Sequence, residues 1–432
     1  FQAEDGIRDR SPSRGLGDVY KRQVPLDSIR RHDFAANGIF IAYWQQPQDT
    51  ALMDCDLIIS GDMLIDSFTG ISGPGEIAIS NGSIVASGQS LDGYKAARNL
   101  DTTGQIVCPG LIDLHVHVYE WVTNFGLPAD DAGIHSGATT IVDQGSAAWT
   151  VGGFKELIAN DATTDVRCFI SANVAGALKG GMEGTTLHNP NMTRADQIVE
   201  VAKRYPEFVK GIKSHAESGG FSHWGTNVLR QARDAGDQSG LPLYVHTGEL
   251  FPVNEPGRPD SATLWNEVIP LLRPGDTLAH VYSAMPDGIM GSSEEVPSYI
   301  FEALERGVHF DIGYGLNFSY AIASQMMAHG VLPYTIGSDV HADFNAYHDD
   351  SSLNYSLCGA MTRLWGLGMP LEEVIARTTF YPAQIIDEID QIGTLAPGSR
   401  ADITILNCPK GPWLLRCLLY TSDAADDTPC VD

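Results

Sequence analysis

The stretch GLIDLHVHVYE at residues 110–120 places two histidines, His115 and His117, inside an apolar run. Residues two apart on a β-strand project from the same face, so a strand here would present both imidazoles together. Histidines are seldom fully buried, and a pair on one apolar strand therefore calls for an explanation. Paired imidazoles form a chelate for zinc or a similar divalent metal ion. A core histidine with satisfied hydrogen bonds is the competing interpretation of either residue alone.

The chain on the carboxyl side of this strand alternates strand-like and helix-like segments. Helical patterns such as ADQIVEVAKRY (195–205) and VPSYIFEALERG (296–307) separate most of the candidate strands. Eight strands in this alternation predict an α/β fold, a (β/α)8 TIM barrel, with a doubly wound open sheet as the rival. No GxGxxG or GxxxxGK[ST] motif supports a nucleotide-binding open sheet. The candidate strands are 111–119, 138–145, 167–174, 209–216, 241–249, 276–283, 308–315 and 332–341.

Short strand patterns with glycine and asparagine turns flank this alternating region on both sides. GEIAISNGSIVASG (75–88) precedes it, and IGTLAPGSRADITIL (392–406) follows it. The two flanks predict one small β-sandwich domain made of residues 53–110 and 386–410. The barrel, residues 111–385, would be inserted between them.

The two ends of the chain differ from the rest. Residues 1–23 and 411–432 have no period of a helix or a strand and resemble translated sequencing-adapter sequence. Such segments are excluded from fold reasoning. Residues 24–52 are interpreted as an extension without an assigned role.

The composition excludes several classes of function. With 43% hydrophobic and 19% charged residues, the chain is typical of a globular protein. A net charge of −27 argues against a nucleic-acid partner, because phosphate backbones require clustered lysine and arginine. The sequence contains no long apolar run that predicts a membrane span. Seven scattered cysteines without a CxxC pair favour a reducing, cytoplasmic location. A small-molecule substrate fits these properties.

Three further polar residues lie near the ends of other candidate strands. They are His246 in VHTGE, His280 in LAHVYS and Asp339 in IGSDVH. Catalytic groups of a barrel lie at the carboxyl ends of its strands. Each residue alone has a structural interpretation, such as a helix N-cap for Asp339. Together with the histidine pair, they predict a metal site at the barrel mouth.

The fourth candidate strand contributes a lysine. Period-two alternation places Lys213 on the face that reaches the mouth and Lys210 on the opposite face. Lysine is usually solvated, but a crowded and partly desolvated site favours the neutral amine. A neutral amine can add carbon dioxide to form a carbamate, which is a carboxylate on a long stem. Such a group could bridge two metal ions.

The order of these residues resembles the amidohydrolase superfamily. The resemblance rests on the motifs HxH, Lys, His, His and Asp on candidate strands one, four, five, six and eight. It also includes the segments CPGLIDLHVH and LAPGSRADI. The interval from Lys213 to His246 resembles the binuclear branch. GIKSHAES, HTGE and FDIGYG resemble the dihydroorotase-like deacetylase group within it. The resemblance covers about residues 53 to 410.

The resemblance implies a role for each candidate ligand. Two divalent ions, most simply Zn2+, would be bridged by carboxylated Lys213 and a hydroxide and would activate the water for attack. Asp339 would take the proton of the water and pass it to the leaving group. The implied ligands are His115, His117 and Asp339 for the first ion, and His246 and His280 for the second.

The resemblance leaves several questions open. Tyr119, His215, His341 and Glu249 are candidate substrate contacts, and each has a structural alternative. The chain has no arginine soon after the HxH motif, which true dihydroorotases use to grip a substrate carboxylate. A homo-oligomer is compatible with the resemblance, because relatives are often dimers or larger.

The predicted activity is hydrolysis of an amide or ester bond of a small molecule, as in a deacetylase. The alternatives are a cyclic-amide hydrolase of the dihydroorotase or hydantoinase type and a mononuclear deaminase. His246-x-x-Glu249 matches the deaminase pattern, whereas Lys213 argues against that branch. A non-catalytic relative is the least favoured class because all six ligand positions are filled. The sequence has no G-x-S-x-G motif of a serine hydrolase.

Overall fold

A computed structural model describes residues 52–178, 189–250, 253–291, 293–315, 318–342, 347, 353 and 355–411. Within these residues the strands form two separate sheets. The predictions for residues 1–23, 24–52 and 411–432 lie outside the described residues, apart from Leu52 and Gly411. None of the described helices is long and apolar enough to cross a membrane.

The smaller sheet combines strands from both flanks of the chain. Its order is β13-β5-β1-β2-β3, and β4 pairs with β1. Buried side chains such as Ile59, Ile77, Val107 and Leu395 form its apolar core. Early and late segments of the chain therefore share one core, separate from the parallel sheet. The strands are β1 Met53–Asp66, β2 Ile71–Ser80, β3 Ser83–Gly88, β4 Tyr94–Asp101, β5 Ile106–Pro109 and β13 Ile403–Leu406.

The larger sheet is parallel, and its seven strands follow one another in chain order. Parallel strands joined by helices are buried on both faces, which explains why all six residues of LIDLHV are buried. The predicted α/β class is confirmed. The strands are β6 Leu111–Val116, β7 Ala138–Ser146, β8 Asp165–Ser171, β9 Val209–His215, β10 Leu243–His246, β11 Thr277–Leu278 and β12 His309–Phe310.

Helices connect these strands. Amphipathic α3 and α5 bury residues such as Ile198 and Leu229 in the main apolar core. The helices are α1 Ala129–Ala132, α2 Val151–Phe154, α3 Ala195–Arg204, α4 Ser218–Trp224, α5 Asn227–Ser239, α6 Ser261–Val268, α7 Ser298–Glu305, α8 Tyr320–Ala328, α9 Leu357–Gly366, α10 Leu371–Ala376 and α11 Phe380–Ile385.

The segment 335–340 contacts both edges of the parallel sheet. Thr335 forms a parallel bridge to Asp311, just after β12, and Val340 forms one to Val116 in β6. The Asp339 amide also donates to the His115 carbonyl over 2.7 Å. The predicted eighth strand is therefore present only as isolated bridges among the described residues.

Several strands are shorter than the sequence pattern predicts. β10, β11 and β12 end at His246, Leu278 and Phe310, whereas the pattern extends them to residues 249, 283 and 315. The backbone leaves the ladder where the polar residues begin, and His280 has a φ of 60° that no regular strand allows. The polar ends of the predicted strands thus form irregular structure beyond the sheet.

A buried ion-pair cluster joins β8, β9 and the segment after α11. Glu388 accepts from Nε of Arg167 over 2.7 Å and lies 2.9 Å from Nζ of Lys210. The Glu388 side chain is only 5% exposed. Burial raises the pKa of this carboxyl, but the hydrogen bonds and charges of the two cations outweigh burial and lower it. The Lys210 side chain therefore lies on the face of β9 opposite to Lys213, as predicted from the strand alternation.

We expect Glu388→Gln to lower the free energy of unfolding at pH 7 by about 3 kcal/mol, because it leaves two cations without their buried counter-charge. Urea unfolding followed by circular dichroism measures this change. Glu156→Gln is the matched control, since Glu156 forms an exposed pair with Lys155 and should change stability by less than about 0.5 kcal/mol. Equal effects of the two substitutions would contradict a structural role for the cluster.

The buried Glu388 carboxyl also predicts how the stability of the fold depends on pH. The folded-state pKa of Glu388 lies below its ordinary value of 4.5. Its contribution to stability is therefore present above that ordinary value and is lost as the pH falls through the lower, folded-state pKa. The parent should lose more stability than Glu388→Gln as the pH is lowered from about 5. Parallel stability curves for the two proteins in this range would rule this contribution out.

Candidate metal centre

His115 of β6, His117 directly after β6 and an aspartate of segment 335–340 converge at one end of the parallel sheet. Asp339 Oδ1 lies 3.1 Å from Nε2 of His115 and 3.2 Å from Nε2 of His117. His115 is 1% exposed and Asp339 5% exposed. The two histidines therefore share one face, and this face is directed at a buried carboxylate.

Two histidines from neighbouring strands complete the ring of imidazoles. The His280 ring centroid lies 5.2 Å from that of His115 and 4.5 Å from that of His246. Nδ1 of His280 lies 2.9 Å from the carbonyl oxygen of Gly313. Because a carbonyl only accepts, Nδ1 carries the proton and Nε2 keeps its lone pair for another ligand.

Lys213 lies inside this ring rather than in solvent. Its Nζ is 3.5 Å from Nε2 of His115 and 4.6 Å from the centre of the Tyr244 ring. The residue is only 3% exposed. Burial lowers the pKa of the amine to about 8, although the charges of Asp339, Asp311 and other carboxylates oppose the shift. The neutral amine is therefore accessible near neutral pH.

Burial also keeps the central imidazoles neutral. It lowers the pKa of His280 to about 4, against the opposing charge of Asp339. The pKa of His115 lies well below its ordinary value because of burial and, next, the charge of Lys213. Neutral imidazole is the form that binds a metal ion. Nitrogen and oxygen atoms of His115, His280 and Asp339 all lie within 4.8 Å of one another, which suits a single divalent ion.

Two of these residues have an unusual backbone conformation. The φ angle is 60° at His280 and 54° at Asp339. Non-glycine residues rarely adopt positive φ, and strained residues of this kind concentrate at functional sites. His280 follows β11 by two residues and Asp339 immediately precedes the Val340 bridge, so both turns lie at the edge of the parallel sheet beside the cluster.

Three glycines leave the space that the cluster occupies. A Cβ atom on Gly313 would lie 2.5 Å from Nδ1 of His280, and one on Gly315 would lie 2.5 Å from Oδ2 of Asp339. A Cβ atom on Gly337 would lie 2.7 Å from Cβ of His115. The two glycines of FDIGYG are therefore explained by steric exclusion, because any larger residue there would collide with the cluster.

The predicted substrate contacts divide into two groups. His215 and His341 lie beside the cluster: His215 is 5.5 Å from His246, and His341 is 5.9 Å from His117, between ring centroids. Tyr119 and Glu249 have partners elsewhere.

The Tyr119 hydroxyl donates to the carbonyl of Thr150 over 2.8 Å, and its ring stacks on Phe154. Glu249 forms an ion pair with Arg258 at 2.9 Å. The structure does not bring these two residues into the histidine cluster.

Sequence reasoning missed Tyr244, which contacts the cluster, and Asp311, which contacts Tyr244. The Tyr244 hydroxyl lies 3.0 Å from Nδ1 of His115 and donates to Oδ1 of Asp311 over 2.8 Å. Burial raises the pKa of Asp311 to about 6, although hydrogen bonds from Thr335, Tyr244 and the backbone oppose the shift. The signal for Tyr244 was present, because it precedes His246 by two residues on one strand.

The donor set fits a divalent metal ion. Neutral imidazoles and a carboxylate are the ligands that zinc and similar ions take in proteins. Their convergence in a buried site, with strained backbone at two of them, is more than apolar packing requires. The pieces of chain that supply them come from different strands of one parallel sheet.

Comparisons with known proteins point in the same direction. A deacetylase of Agrobacterium fabrum is 28% identical over 333 residues, which cover 76% of this chain and 76% of the relative. The solved structure of a dihydroorotase is 26% identical, covers 81% of this chain and 87% of that chain, and has a TM-score of 0.68. The solved structure of an adenine deaminase is also 26% identical, covers 84% of this chain and 93% of that chain, and has a TM-score of 0.73. No family model matches the chain.

A parallel sheet with histidines, a lysine and an aspartate at one end is the architecture of a metal-dependent hydrolase. These similarities point to the amidohydrolase superfamily, and within it to dihydroorotase-like and deacetylase-like proteins.

We expect Gly313→Ala to abolish metal binding at His280, because the new methyl group would collide with the imidazole. Gly330→Ala is the matched control: Gly330 also has positive φ, at 75°, but a Cβ atom there meets nothing within 4 Å. Both substitutions carry a similar backbone cost of about 1 kcal/mol. Elemental analysis of the purified proteins should show fewer metal ions per chain in Gly313→Ala only. Normal metal content in Gly313→Ala would remove His280 from the ligand set.

Proposed function

We propose that this protein is a metal-dependent amidohydrolase that removes an acyl group from a small molecule by hydrolysis of an amide or ester bond. The observation that carries the proposal is the buried Lys213 amine, 3.5 Å from His115 in a ring of four histidines and Asp339. Similarity to curated deacetylases over most of the chain supports this activity. The bond cleaved is carbon–nitrogen or ester, outside peptides.

The proposed ligands form two sets. His115, His117 and Asp339 would hold one divalent ion, and His246 and His280 a second, with zinc as the expected metal. Lys213, carboxylated by carbon dioxide, would bridge them. Its burial and lowered pKa favour the neutral amine that this addition requires. Tyr119, His215, Glu249 and His341 stay candidate substrate contacts, with His215 and His341 favoured by their position beside the cluster.

Bound metal ions would lower the pKa of a water molecule and polarise the scissile carbonyl. The chain itself supplies the proton transfers. Asp339 lies between the Nε2 atoms of His115 and His117 and is 5% exposed, so its carboxylate can reach both the ligands and the mouth. Asp339 would accept the proton of the attacking water and deliver it to the leaving amine or alcohol.

Two alternatives have their own support. The dihydroorotase structure favours a cyclic-amide hydrolase of the dihydroorotase or hydantoinase type. The adenine deaminase structure favours a deaminase, in which Glu249 after His246 would donate a proton. The ion pair of Glu249 with Arg258 and the position of Lys213 beside His115 both disfavour the mononuclear form. A non-catalytic relative is the least supported class.

We also propose a complete (β/α)8 barrel with residues 335–340 as its eighth strand. The bridges of this segment to both edge strands support closure. The division into a small β domain, 53–110 plus 386–410, and a barrel, 111–385, stays a prediction. A cytoplasmic location, a small-molecule substrate, no nucleic-acid or membrane partner and a possible homo-oligomer stay predictions as well.

The first test counts metal ions. The full chain and its Lys213→Ala variant are expressed with zinc and bicarbonate and measured by elemental analysis. We expect two ions per chain in the parent and one or none in Lys213→Ala, because the bridge is lost. Lys210→Ala, on the opposite face of the same strand, is the matched control and should keep two. One ion in all three proteins would favour the deaminase-like form, and none in the folded parent would overturn the proposal.

The second test assigns the proton transfer. Asp339→Asn should lower kcat about 10²–10⁴-fold on N-acetyl amides and acetyl esters, because the amide cannot accept the proton. His341→Asn tests a neighbour that is not assigned a proton and should change KM more than kcat. Release of acetate distinguishes a deacetylase from a deaminase, which releases ammonia. Unchanged kcat in Asp339→Asn would remove Asp339 from the reaction.

A further inference from the structure

We infer that Tyr244 and Asp311 are positioning residues that fix the tautomer of His115 and so direct its Nε2 lone pair into the metal site. The inference rests on the proposed function for the identity of the ligand, but its geometry is independent of the reaction. The Tyr244 hydroxyl lies between Nδ1 of His115, at 3.0 Å, and Oδ1 of Asp311, at 2.8 Å. Tyr244 and Asp311 are fully buried, so water cannot replace these bonds.

The direction of these hydrogen bonds follows from the partners of Asp311. The backbone N–H of Gly313 can only donate, and it contacts Oδ1 of Asp311 over 2.7 Å. Thr335 Oγ1 donates to Oδ2 over 2.6 Å. Both carboxylate oxygens therefore act as acceptors, and the single hydroxyl proton of Tyr244 is given to Oδ1.

The tautomer of His115 is then determined. A hydroxyl whose only proton goes to Asp311 can offer only a lone pair to the imidazole. Nδ1 of His115 must therefore carry the proton, and Nε2 must be unprotonated. Second partners of this kind orient metal-binding histidines and raise their basicity. His280 obtains the same tautomer from the Gly313 carbonyl, so one loop serves both imidazoles.

This tautomer has an electrostatic consequence. Nε2 of His115 and Oδ1 of Asp339 lie 3.1 Å apart, and both atoms present lone pairs. Two acceptors at this distance repel each other unless a cation or a proton lies near both. The alternative tautomer would place a proton between them and form an ordinary hydrogen bond. The Tyr244 hydroxyl excludes that bond and keeps the pair ready for a positive ion.

Close packing fixes the hydrogen-bonded side chains of Asp311, Tyr244 and His115. A Cβ atom on Gly337 would lie 2.8 Å from Oδ1 of Asp311 as well as close to His115. The Tyr244 side chain also packs with Phe169 at a ring centroid distance of 6.0 Å. Strand β10, the residue that follows β12 and segment 335–340 thus contribute to the orientation of one imidazole on β6.

The first measurement reads the tautomer directly. Long-range ¹H–¹⁵N spectra of the full chain, labelled with ¹⁵N-histidine and treated with chelator, distinguish Nδ1–H from Nε2–H imidazoles. A His115→Gln spectrum assigns the signal. We expect His115 as Nδ1–H in the parent and a mixture in Tyr244→Phe. Nε2–H in the parent would overturn the inference, whether or not Tyr244→Phe folds.

The second measurement is metal affinity, with Zn²⁺ alone as the probe in competition with a chromophoric chelator. Tyr244→Phe should weaken Zn²⁺ binding about 10–100-fold. Tyr299→Phe is the control, because its buried hydroxyl donates to the carbonyl of Ile289, outside the cluster. Equal affinity in the two variants would contradict the inference.

Asp311→Asn supplies a conservative rescue. The Gly313 N–H requires an oxygen at the Oδ1 position, so the Asn amide should still accept from Tyr244. We expect a parent-like His115 signal and an affinity within about threefold of the parent. A tautomer mixture like that of Tyr244→Phe would contradict the proposed bond direction. If the parent binds no Zn²⁺, the proposed function fails, whereas the spectra still decide the tautomer.

Discussion

The backbone hydrogen bonds between β6 and segment 335–340 are the constraint on which the candidate site depends. The Asp339 amide donates to the His115 carbonyl, and the His117 amide donates to the Val340 carbonyl. These bonds fix the carboxylate of one segment against both imidazoles of another that is far away in sequence. Without this register, Asp339 would not be held beside His115 and His117, because the two segments belong to separate strand and helix units.

Burial makes this arrangement demanding. His115, Lys213, Asp311 and Asp113 are all nearly inaccessible to solvent. Unpaired polar groups at such positions destabilise the fold, so each must find a partner or change its charge. Burial accordingly raises the pKa of Asp113 to about 7, against hydrogen bonds from Ser338 and the backbone. The core of the sheet is thus electrostatically costly at this end, which is typical of a functional site.

Much of the candidate site was predictable because the candidate ligands recur near the ends of strand patterns. The shared face of His115 and His117 and the inward face of Lys213 follow from period-two spacing, whereas His246, His280 and Asp339 follow from their positions near the ends of strand patterns. Their convergence followed from the barrel order predicted by the strand and helix alternation, and the resemblance to a family added their roles as ligands. The α/β class and the strand positions were correct for most of the chain.

Other features could not be read from the sequence. The short β11 and β12 and the positive φ of His280 reflect local turns, and an apolar pattern gives no sign of them. The stacking of Tyr119 on Phe154 is likewise a contact that the strand pattern does not predict. Period-two spacing from His246 could have indicated Tyr244, whereas Asp311 has no distinctive signal in its strand pattern. Only three-dimensional contacts reveal that they act through His115.

The pairing of β13 with β5 has a consequence for biosynthesis. Ile403–Leu406 form the edge partner of Ile106–Pro109, and the carbonyl of Asp402 accepts the amide of Gly110, immediately before the histidine strand. A ribosome must therefore translate almost the entire domain before the start of that strand gains its last partner. The backbone that leads into the two histidines therefore completes its hydrogen bonds only after nearly all of the described chain has been made.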